Sequence, residues 1–253
     1  MDLTGKSAIV TGAARGLGAV YARALADHGA QVVAADVADA QEVVPPSDHR
    51  TPHASSLIFV KADVAAPADA IRLAEEALRH FGKIDILINN AAVYGDMGSK
   101  KLFDQISEAE WDRVLSVNIK GVWACAKAVV PQMRKQHAGK IINVASSSVY
   151  AGTPGLAHYV ASKAAVIGLT RVLAQELGDD NICVNAIAPG LVTNDASRRL
   201  NAPEYFERAR QRRAIKRLMV PEDLVGTVIF LASPASDFVT GQTFVVDGGT
   251  AMI

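Results

Sequence analysis

The sequence predicts an α/β protein: one doubly wound domain in which helices cover both faces of a seven-stranded, mostly parallel sheet. Short apolar runs alternate with longer amphipathic stretches along the 253 residues, as they do in right-handed β-α-β units. The apolar runs are hydrophobic almost throughout, which is typical of strands buried on both faces. No linker interrupts the chain, so residues 1–253 are expected to form a single domain.

Seven apolar runs are predicted to be strands because they are short and continuously hydrophobic. In chain order they are Ser7–Val10, Gln31–Ala35, Leu57–Lys61, Ile84–Ile88, Lys140–Ala145, Ile182–Ile187 and Thr243–Val246. Five longer stretches between them show helical periodicity. These are Leu17–His28, Pro67–Phe81, Glu108–Gln136, His158–Gly178 and Pro221–Ala232.

Two segments interrupt this alternation. Pro45–Ser56 is polar and contains three prolines, so a crossover helix at this point must be short. Residues 191–217 follow a predicted strand and are rich in arginine. We interpret them as one or two short helices that form a lid over a pocket. Their basic side chains would also suit an anionic substrate.

Charge and composition favour an intracellular protein without nucleic-acid or membrane partners. Lys plus Arg and Asp plus Glu both total 26, so the net charge does not attract polyanions. There is neither a signal peptide nor an apolar run of ~20 residues, so we expect a cytoplasmic protein. Cys125 and Cys183 lack metal-like spacing and are expected to be reduced; no metal site is predicted.

A glycine-rich turn between the first strand and the first helix predicts a dinucleotide site. Thr11–Gly18 places Gly12, Gly16 and Gly18 where a chain can turn tightly and approach a pyrophosphate. Arg15 and Leu17 lie within the same turn. The spacing is G-x-x-x-G-x-G, and its position at a helix N-terminus makes it informative.

Further candidate cofactor residues follow the next three strands. Asp36 ends the second strand, where a carboxylate can bind a ribose diol and repel a 2′-phosphate, so NAD is favoured over NADP. Arg15 favours NADP instead, because its guanidinium could bind that 2′-phosphate. Asp63 and Val64 suit the adenine edge, although Asp63 could equally be a helix-start residue. Asn90 and Ala91 are expected to line the cofactor cleft.

Tyr159 and Lys163 are one helical turn apart, with Ser146 thirteen residues before Tyr159. A cation beside a phenol lowers its pKa, which makes tyrosine usable as an acid or base near neutral pH. A serine hydroxyl alongside can hydrogen-bond the same reacting oxygen. Such a pair also occurs by chance on helix surfaces, so the catalytic interpretation depends on the other motifs.

With these motifs in this order, the chain resembles the short-chain dehydrogenase/reductase family over roughly residues 5–250. The resemblance rests on Thr11–Gly18, Asp63, Asn89–Ala91, Asn118, Ser146, Tyr159–Lys163 and Pro189–Gly190. It implies a Rossmann-like fold, a nicotinamide cofactor and hydride transfer between an alcohol and a ketone.

The resemblance also implies residue roles. Tyr159 would exchange a proton with the substrate oxygen, and Lys163 would lower the Tyr159 pKa and hold the nicotinamide ribose. Ser146 would hydrogen-bond the substrate oxygen. Asn118 would hold a water behind Lys163; alternatively it is only a polar residue that kinks or caps a turn.

A loop after the sixth predicted strand would pass the nicotinamide: Pro189 and Gly190 lead into it, and Val192 would offer backbone contacts. Family members commonly carry threonine five residues after this proline. Here Asn194 holds that position and Thr193 precedes it, which leaves open which side chain touches the cofactor.

A largely apolar substrate wall is expected from Tyr94, Ser148, Tyr150 and Leu191. The leading prediction is therefore an NAD-dependent enzyme that interconverts a hydrophobic secondary alcohol, cyclic or aromatic, with its ketone. The alternative is an NADP-dependent 3-oxoacyl-[acyl-carrier-protein] reductase. A non-catalytic nucleotide-binding regulator is an alternative of another class. The resemblance implies a homotetramer.

Overall fold

The computed structural model describes residues 1–40 and 57–253. Seven parallel strands form one sheet in the order β3-β2-β1-β4-β5-β6-β7. Their bounds are β1 Ser7–Thr11, β2 Gln31–Asp36, β3 Leu57–Lys61, β4 Ile86–Asn89, β5 Gly139–Val144, β6 Ile182–Pro189 and β7 Thr243–Val246. The direction of winding reverses between β1 and β4, and doubly wound proteins bind ligands at the carboxyl ends of the strands at that point.

Nine α-helices connect or follow these strands in the described part of the chain. Their bounds are α1 Gly16–Asp27, α2 Pro67–Phe81, α3 Glu108–Leu115, α4 Val122–Gln136, α5 Ser148–Ala151, α6 Ala157–Glu176, α7 Asp195–Leu200, α8 Pro203–Arg212 and α9 Val225–Ala232. Helices α1 and α9 pack on one face of the sheet, whereas α2, α4 and α6 pack on the other.

Burial on both faces explains why the strands are hydrophobic at every position. In β1, Ala8 and Val10 belong to the cluster under α1 and α9. Ile9, between them, belongs to the cluster under α2 and α4. Alternate side chains point to opposite faces, so a strand covered on both sides needs apolar residues throughout.

The predicted architecture is confirmed, with small differences in element bounds. The sheet is wholly parallel rather than mostly parallel. Ile84 precedes β4, and β6 continues two residues beyond Ile187. A 3₁₀ turn, Pro221–Leu224, begins the last predicted helix. The proline-rich segment 45–56 lies outside the described residues.

The predicted helix Glu108–Gln136 is continuous but not regular. A π-helical turn, Ser116–Gly121, separates α3 from α4. Val64 explains the glycine at position 121: a Cβ there would lie 2.8 Å from Val64 Cγ2. π-Helical turns occur frequently at functional sites, and this one carries Asn118.

The same 29-residue helix is the only one in the described chain that is long and apolar enough to cross a membrane. Half of its most apolar window is buried inside the molecule. Helix α4 buries Ala126, Val129 and Met133 among the side chains under the sheet. A core helix meets the length and composition test equally well, so the finding is weak evidence for a membrane span.

Candidate active site

The glycine turn after β1 brings backbone atoms close together. Gly12 and Gly16 have φ of +65° and +60°, the left-handed region that glycine adopts without strain. A Cβ on Gly18 would lie 2.1 Å from the Gly12 carbonyl oxygen, and one on Gly12 would lie 2.7 Å from Ala91 Cα. Gly12 and Gly18 therefore have no room for a side chain, whereas Gly16 is favoured by its left-handed backbone alone. The turn leaves room for the backbone to approach a pyrophosphate at the start of α1, and its role in binding stays a prediction.

Thr11 and Asn90 hold this turn against the end of β4. Thr11 Oγ1 accepts hydrogen bonds from the backbone N–H of Asn90 at 3.1 Å and of Ala91 at 3.2 Å. Asn90 Nδ2 donates to the carbonyls of Thr11 and Gly12, both at 3.0 Å. The Asn90 amide thus braces the glycine turn beside the predicted cofactor cleft. Thr11 was not singled out from the sequence, because its role depends on a residue 79 positions away.

Asp36 lies beside the glycine turn. Its Oδ2 accepts from the N–H of Ala14 at 2.9 Å, and its Oδ1 accepts from that of Ala38 at 3.0 Å. These bonds orient the carboxylate at the carboxyl end of β2, where an adenosine ribose would bind. A carboxylate oxygen can accept a second bond, so capacity remains for ribose hydroxyls.

Arg15 pairs with Asp96, which lies in the loop after β4. The distance from Arg15 Nη2 to Asp96 Oδ2 is 3.1 Å. Asp96 Oδ1 also accepts from Arg199 of α7 at 3.0 Å. Asp96 therefore links the glycine turn to the predicted lid and balances part of the Arg15 charge. This pairing was not foreseen.

Asp63 and Val64 follow β3. Asp63 Oδ1 accepts from the N–H of Ala65 at 2.9 Å, while its own N–H donates to Asp69 at 2.7 Å. These contacts are typical of a residue that begins the turn into a helix. Val64 is buried and packs against the π-helical turn at Gly121. Both residues border the predicted adenine edge, but their contacts here are structural.

Tyr159 and Ser146 meet where α6 begins and β5 ends. Tyr159 is only 8% exposed and Ser146 9%, and the Ser146 side chain lies near enough to the Tyr159 hydroxyl to act on its pKa. Ser146 Oγ also accepts from the N–H of Ser148 at 3.2 Å and from its Oγ at 2.9 Å. Because a hydroxyl oxygen has two lone pairs, Ser146 can offer only its proton to a further oxygen. It is thereby oriented as a donor.

Lys163 lies one turn further along α6 and is 2% exposed. Its Nζ donates to the carbonyl of Val144 at 2.6 Å and lies 5.8 Å from the Tyr159 ring centroid. The sequence places these two side chains on one helix face, and the structure brings them together with Ser146.

Asn118 connects the π-helical turn to the active-site helix. Its Oδ1 accepts from the N–H of Val93 at 2.7 Å, and its Nδ2 donates to Ser162 Oγ at 3.1 Å. Ser162 in turn donates to the Tyr159 carbonyl at 2.7 Å. Both ends of the Asn118 amide are thus engaged. The predicted water-holding role would fall to its backbone, and it stays a prediction.

Burial is the largest influence on the pKa values of the candidate catalytic pair, Tyr159 and Lys163. Burial raises the Tyr159 pKa, the neighbouring Tyr94 raises it further, and the Ser146 hydrogen bond lowers it. Burial also lowers the Lys163 pKa to about 8. The expected lowering of the Tyr159 pKa by Lys163 is therefore not seen in this structure, because desolvation of the phenolate outweighs a cation held at the Val144 carbonyl.

The loop after β6 reaches the same site. Gly190 donates its N–H to Val246 at 2.9 Å, and a Cβ on it would lie 2.7 Å from Asp247 Cβ. The Pro189 carbonyl accepts from the N–H of Ser147 at 2.9 Å, which supports the Ser146 loop. Val192 is buried and bridges to Met219.

Thr193 and Asn194 differ in how their side chains are used. Asn194 Oδ1 caps α7 by accepting from the N–H of Ser197 at 2.9 Å. Thr193 Oγ1 is buried and has no hydrogen-bond partner among the described residues. A buried, unpartnered hydroxyl is costly, and a cofactor amide would satisfy it. Of the two, Thr193 is the better candidate for the nicotinamide carboxamide.

The predicted substrate residues are in part brought together. The ring centroids of Tyr94 and Tyr159 are 5.0 Å apart and the rings are tilted by 43°, so Tyr94 directly borders the candidate catalytic phenol. Ser148 contacts Ser146 as described. Tyr150 packs partly against the core cluster under α6.

Leu191 is held by Arg213, a member of the predicted lid segment 191–217. Its carbonyl accepts from Arg213 Nη2 at 2.5 Å, and Arg213 is only 3% exposed. The lid segment contains α7 and α8, which agrees with the expected one or two short helices. Lys100 and Asn201, which join this segment to the loop after β4, were missed because no local motif marks them.

Comparison with known proteins supports a family assignment. A family model for enoyl-(acyl carrier protein) reductase matches residues 12–251. The 3-oxoacyl-[acyl-carrier-protein] reductase FabG of Staphylococcus epidermidis is 37% identical over 247 residues, which cover 98% of this chain and 99% of that protein. GalD of Rhizobium meliloti, described as a probable galactose dehydrogenase, is 36% identical over 254 residues, with coverages of 98% and 96%.

A solved structure is similar over the same extent. The 3-ketoacyl-(acyl-carrier-protein) reductase from Brucella melitensis, in complex with NADH, has a TM-score of 0.90 at 32% identity and covers 99% of this chain and 100% of that chain. Relatives that reduce 3-oxoacyl groups support the alternative activity better than the leading alcohol–ketone prediction. On the combined evidence of the matched model, the relatives and the fold, this chain belongs to the short-chain dehydrogenase/reductase family and is an oxidoreductase.

Proposed function

We propose that this protein reduces the ketone of a 3-oxoacyl thioester to a secondary alcohol, with NADH as the preferred hydride donor. The observation that carries the proposal is the convergence of Ser146, Tyr159 and Lys163 in a chain whose relatives include 3-oxoacyl reductases. The proposed substrate is that of the alternative prediction, a 3-oxoacyl thioester, and the proposed cofactor preference is the predicted one for NAD.

The chain's own residues would handle the oxygen and the proton. A bound nicotinamide supplies or accepts the hydride. As negative charge grows on the ketone oxygen, Ser146 donates a hydrogen bond to it, and Ser148 keeps both Ser146 lone pairs occupied. Tyr159 then gives its proton to the same oxygen. Its raised pKa keeps the phenol protonated at neutral pH, which suits reduction.

The preference for NADH rests on Asp36. The turn N–H groups of Ala14 and Ala38 hold its carboxylate at the end of β2. A fixed negative charge there favours a ribose diol and disfavours a 2′-phosphate. Arg15, whose guanidinium could bind the 2′-phosphate of NADPH, forms an ion pair with Asp96. We further propose that Thr193 binds the nicotinamide carboxamide and Lys163 the adjoining ribose.

A second candidate is the oxidation of a hydrophobic secondary alcohol, the leading sequence prediction. The observation in its favour is the Tyr94 ring against Tyr159, which presents an apolar surface beside the reacting position. Oxidation needs the phenolate, so burial of Tyr159 weighs against this direction at neutral pH. A non-catalytic nucleotide-binding regulator would not need the hydroxyls of Ser146 and Tyr159 side by side, so this arrangement weighs against that alternative.

Activity assays separate these candidates. NADH or NADPH is mixed with a 3-oxobutanoyl thioester, and NAD with a panel of cyclic and aromatic secondary alcohols; nicotinamide absorbance reports turnover. We expect thioester reduction with a kcat/KM for NADH well above that for NADPH. Higher kcat/KM on the alcohols would favour the second candidate, and an NADPH preference would contradict the role of Asp36.

The Asp36→Ser variant tests the cofactor assignment directly. Removing the carboxylate lowers repulsion of the 2′-phosphate while leaving a hydroxyl for the turn. We expect the NADH-to-NADPH ratio of kcat/KM to fall at least tenfold, which is about 1.4 kcal/mol. An unchanged ratio would show that another group selects the cofactor.

Assembly and cellular location remain proposals. We propose a cytoplasmic homotetramer that pairs subunits through the helices 108–136 and α6. The exposed Trp111 and Trp123 lie on the first of these helices, where a second copy would cover them. Light scattering on the purified protein tests the assembly. We propose neither nucleic-acid nor membrane partners.

A further inference from the structure

Lys100 lies where three walls of the candidate substrate site meet. It lies in the loop after β4 that also carries Tyr94. A Cβ on Gly155, in the loop before α6, would lie 2.9 Å from Lys100 Cβ. The Lys100 ammonium contacts Asn201 and Tyr205, which belong to the lid segment. The side chain is thus at the junction between the lid and the two loops that flank Tyr159.

The Lys100 ammonium is held by neutral groups. Its Nζ donates to Asn201 Oδ1 at 2.7 Å and lies 3.9 Å from the Tyr205 ring centroid. Among residues 1–40 and 57–253, no carboxylate forms an ion pair with it. The neighbouring Lys101, by contrast, is paired with Glu110. An ammonium has three donors, so Lys100 has hydrogen-bonding capacity left for a ligand.

A second cation increases the positive charge at this point. The Arg208 guanidinium lies 5.9 Å from the same Tyr205 ring, and no described carboxylate pairs with it either. Burial and, to a smaller extent, Arg208 lower the Lys100 pKa. The lid segment 191–217 has eight basic and three acidic side chains in a chain whose net charge is zero. An anion between the two cations would relieve their repulsion.

Contacts connect this cationic site to the catalytic phenol. Asn201 Nδ2 lies 3.5 Å from the Tyr94 hydroxyl, and the Tyr94 ring contacts the Tyr159 ring. Lys100 is therefore separated from the reacting position by Tyr94 and Asn201. A group bound at Lys100 would belong to the same substrate molecule but lie away from its reacting carbon.

We propose that Lys100, with Arg208, binds an anionic group of the substrate, a phosphate or a carboxylate, on the lid side of the active site. This inference rests on the proposed reduction of an oxo group at Tyr159. A phosphate would come from the carrier arm of a thioester, and a carboxylate from a small free acid. Either would gain charge-assisted hydrogen bonds from Lys100.

The test compares Lys100→Gln with Lys100→Arg and with the matched control Lys101→Gln. The substrates are the 3-oxobutanoyl thioesters of coenzyme A, which carries phosphates, and of N-acetylcysteamine, which is neutral, together with a free oxo acid. For Lys100→Gln we expect KM to rise at least tenfold for one anionic substrate, with kcat nearly unchanged. The neutral thioester and NADH affinity should change by less than twofold, and Lys100→Arg should restore most of the loss.

The pattern across substrates identifies the source of the anion. An effect on the coenzyme A thioester alone indicates phosphate, and one on the free acid alone indicates carboxylate. Equal KM changes for neutral and anionic substrates, or the same loss in Lys101→Gln, would overturn the proposal.

A binding measurement separates failure of this proposal from failure of the proposed function. Calorimetry with coenzyme A and with the free oxo acid, on protein saturated with NAD, requires no turnover. Lys100→Gln should weaken the binding of one of them about tenfold. Affinities for both that match wild type would refute the anion site whatever the enzyme reduces. If the protein does not reduce the thioester but its anion binding still depends on Lys100, only the thioester assignment is refuted.

Discussion

Lys163 is a buried cation whose burial costs folding free energy. Its pKa is lowered from 10.5 to about 8, so the charged form is disfavoured in the folded protein. Lys163→Met should abolish turnover yet raise the free energy of unfolding at pH 7 by roughly 2 kcal/mol, after allowance for the lost hydrogen bond to Val144. Chemical denaturation of both proteins measures the difference.

The lowered Lys163 pKa also determines how this difference in unfolding free energy depends on pH. Below pH 8, Lys163 is protonated in both states and the folded protein bears the full penalty. Between pH 8 and 10.5 the folded state releases the proton first, so wild-type stability rises relative to the methionine variant. The advantage of the variant should therefore shrink across that window. An advantage that grows with pH would contradict the assigned shift.

Ser148 is expected to act on the proposed reaction through Ser146. Ser148→Ala removes one of the two hydrogen bonds that Ser146 Oγ accepts and lets the Ser146 proton turn away from the substrate. We expect kcat to fall about tenfold, with little change in NADH affinity. Ser148→Thr, which keeps a hydroxyl, should recover much of the rate. Initial rates and NADH fluorescence titration check both expectations.

The Tyr159 pKa determines how the two reaction directions depend on pH. Reduction needs the protonated phenol, and burial raises its pKa, so kcat for reduction should be flat from pH 6 to about 8. Oxidation needs the phenolate, so its rate should rise with pH over the same range. Tyr94→Leu removes one cause of the raised pKa and should shift the oxidation profile to lower pH.

Residues within local motifs could be predicted, whereas those that act across the fold could not. Tyr159 and Lys163 are one helical turn apart, so their proximity follows from helix geometry. Asp96, Lys100 and Asn201 have partners on other elements, at sequence separations of 81 to 103 residues. No single-sequence pattern indicates contacts of that kind.

At the scale of elements, close packing decides where glycine is required. Gly121→Ala places a Cβ 2.8 Å from Val64 Cγ2 in the π-helical turn that carries Asn118. It should lower the free energy of unfolding by about 1–3 kcal/mol.

Gly168→Ala in α6 is the matched control, because a Cβ there meets nothing within 4 Å. It should raise the free energy of unfolding by about 0.5–1 kcal/mol through helix propensity. Urea denaturation distinguishes the two. Equal effects would remove the packing explanation for Gly121.

Element types followed from periodicity, and their ends depended on tertiary contacts. Strand β3 and helix α2 have the predicted bounds. β6 continues to Pro189 because it pairs with β7 up to Val246, a contact that local hydrophobicity does not reveal. The π-helical turn in 116–121 was also unforeseen, and it contains Gly121, whose close contact with Val64 cannot be read from local periodicity.

At the scale of the whole molecule, the parallel sheet explains why the site residues meet. The glycine turn, Asp36, Asn90, Ser146 and Pro189 all follow or end strands that run in one direction. The alternation of strands and helices predicts this topology, because right-handed crossovers leave few arrangements. The substrate cannot be predicted in the same way, because it depends on the contacts between the lid and the loop after β4.

The most direct test of the account is the rate of NADH oxidation with a 3-oxoacyl thioester, for wild type and Tyr159→Phe. Wild type should turn over the thioester, and the variant should lose at least about a thousandfold in kcat, since the proposed proton donor is the Tyr159 phenol. NADH affinity should be retained, because Asp36 and the glycine turn are untouched. A Tyr159→Phe variant that reduces the thioester at the wild-type rate would contradict the account.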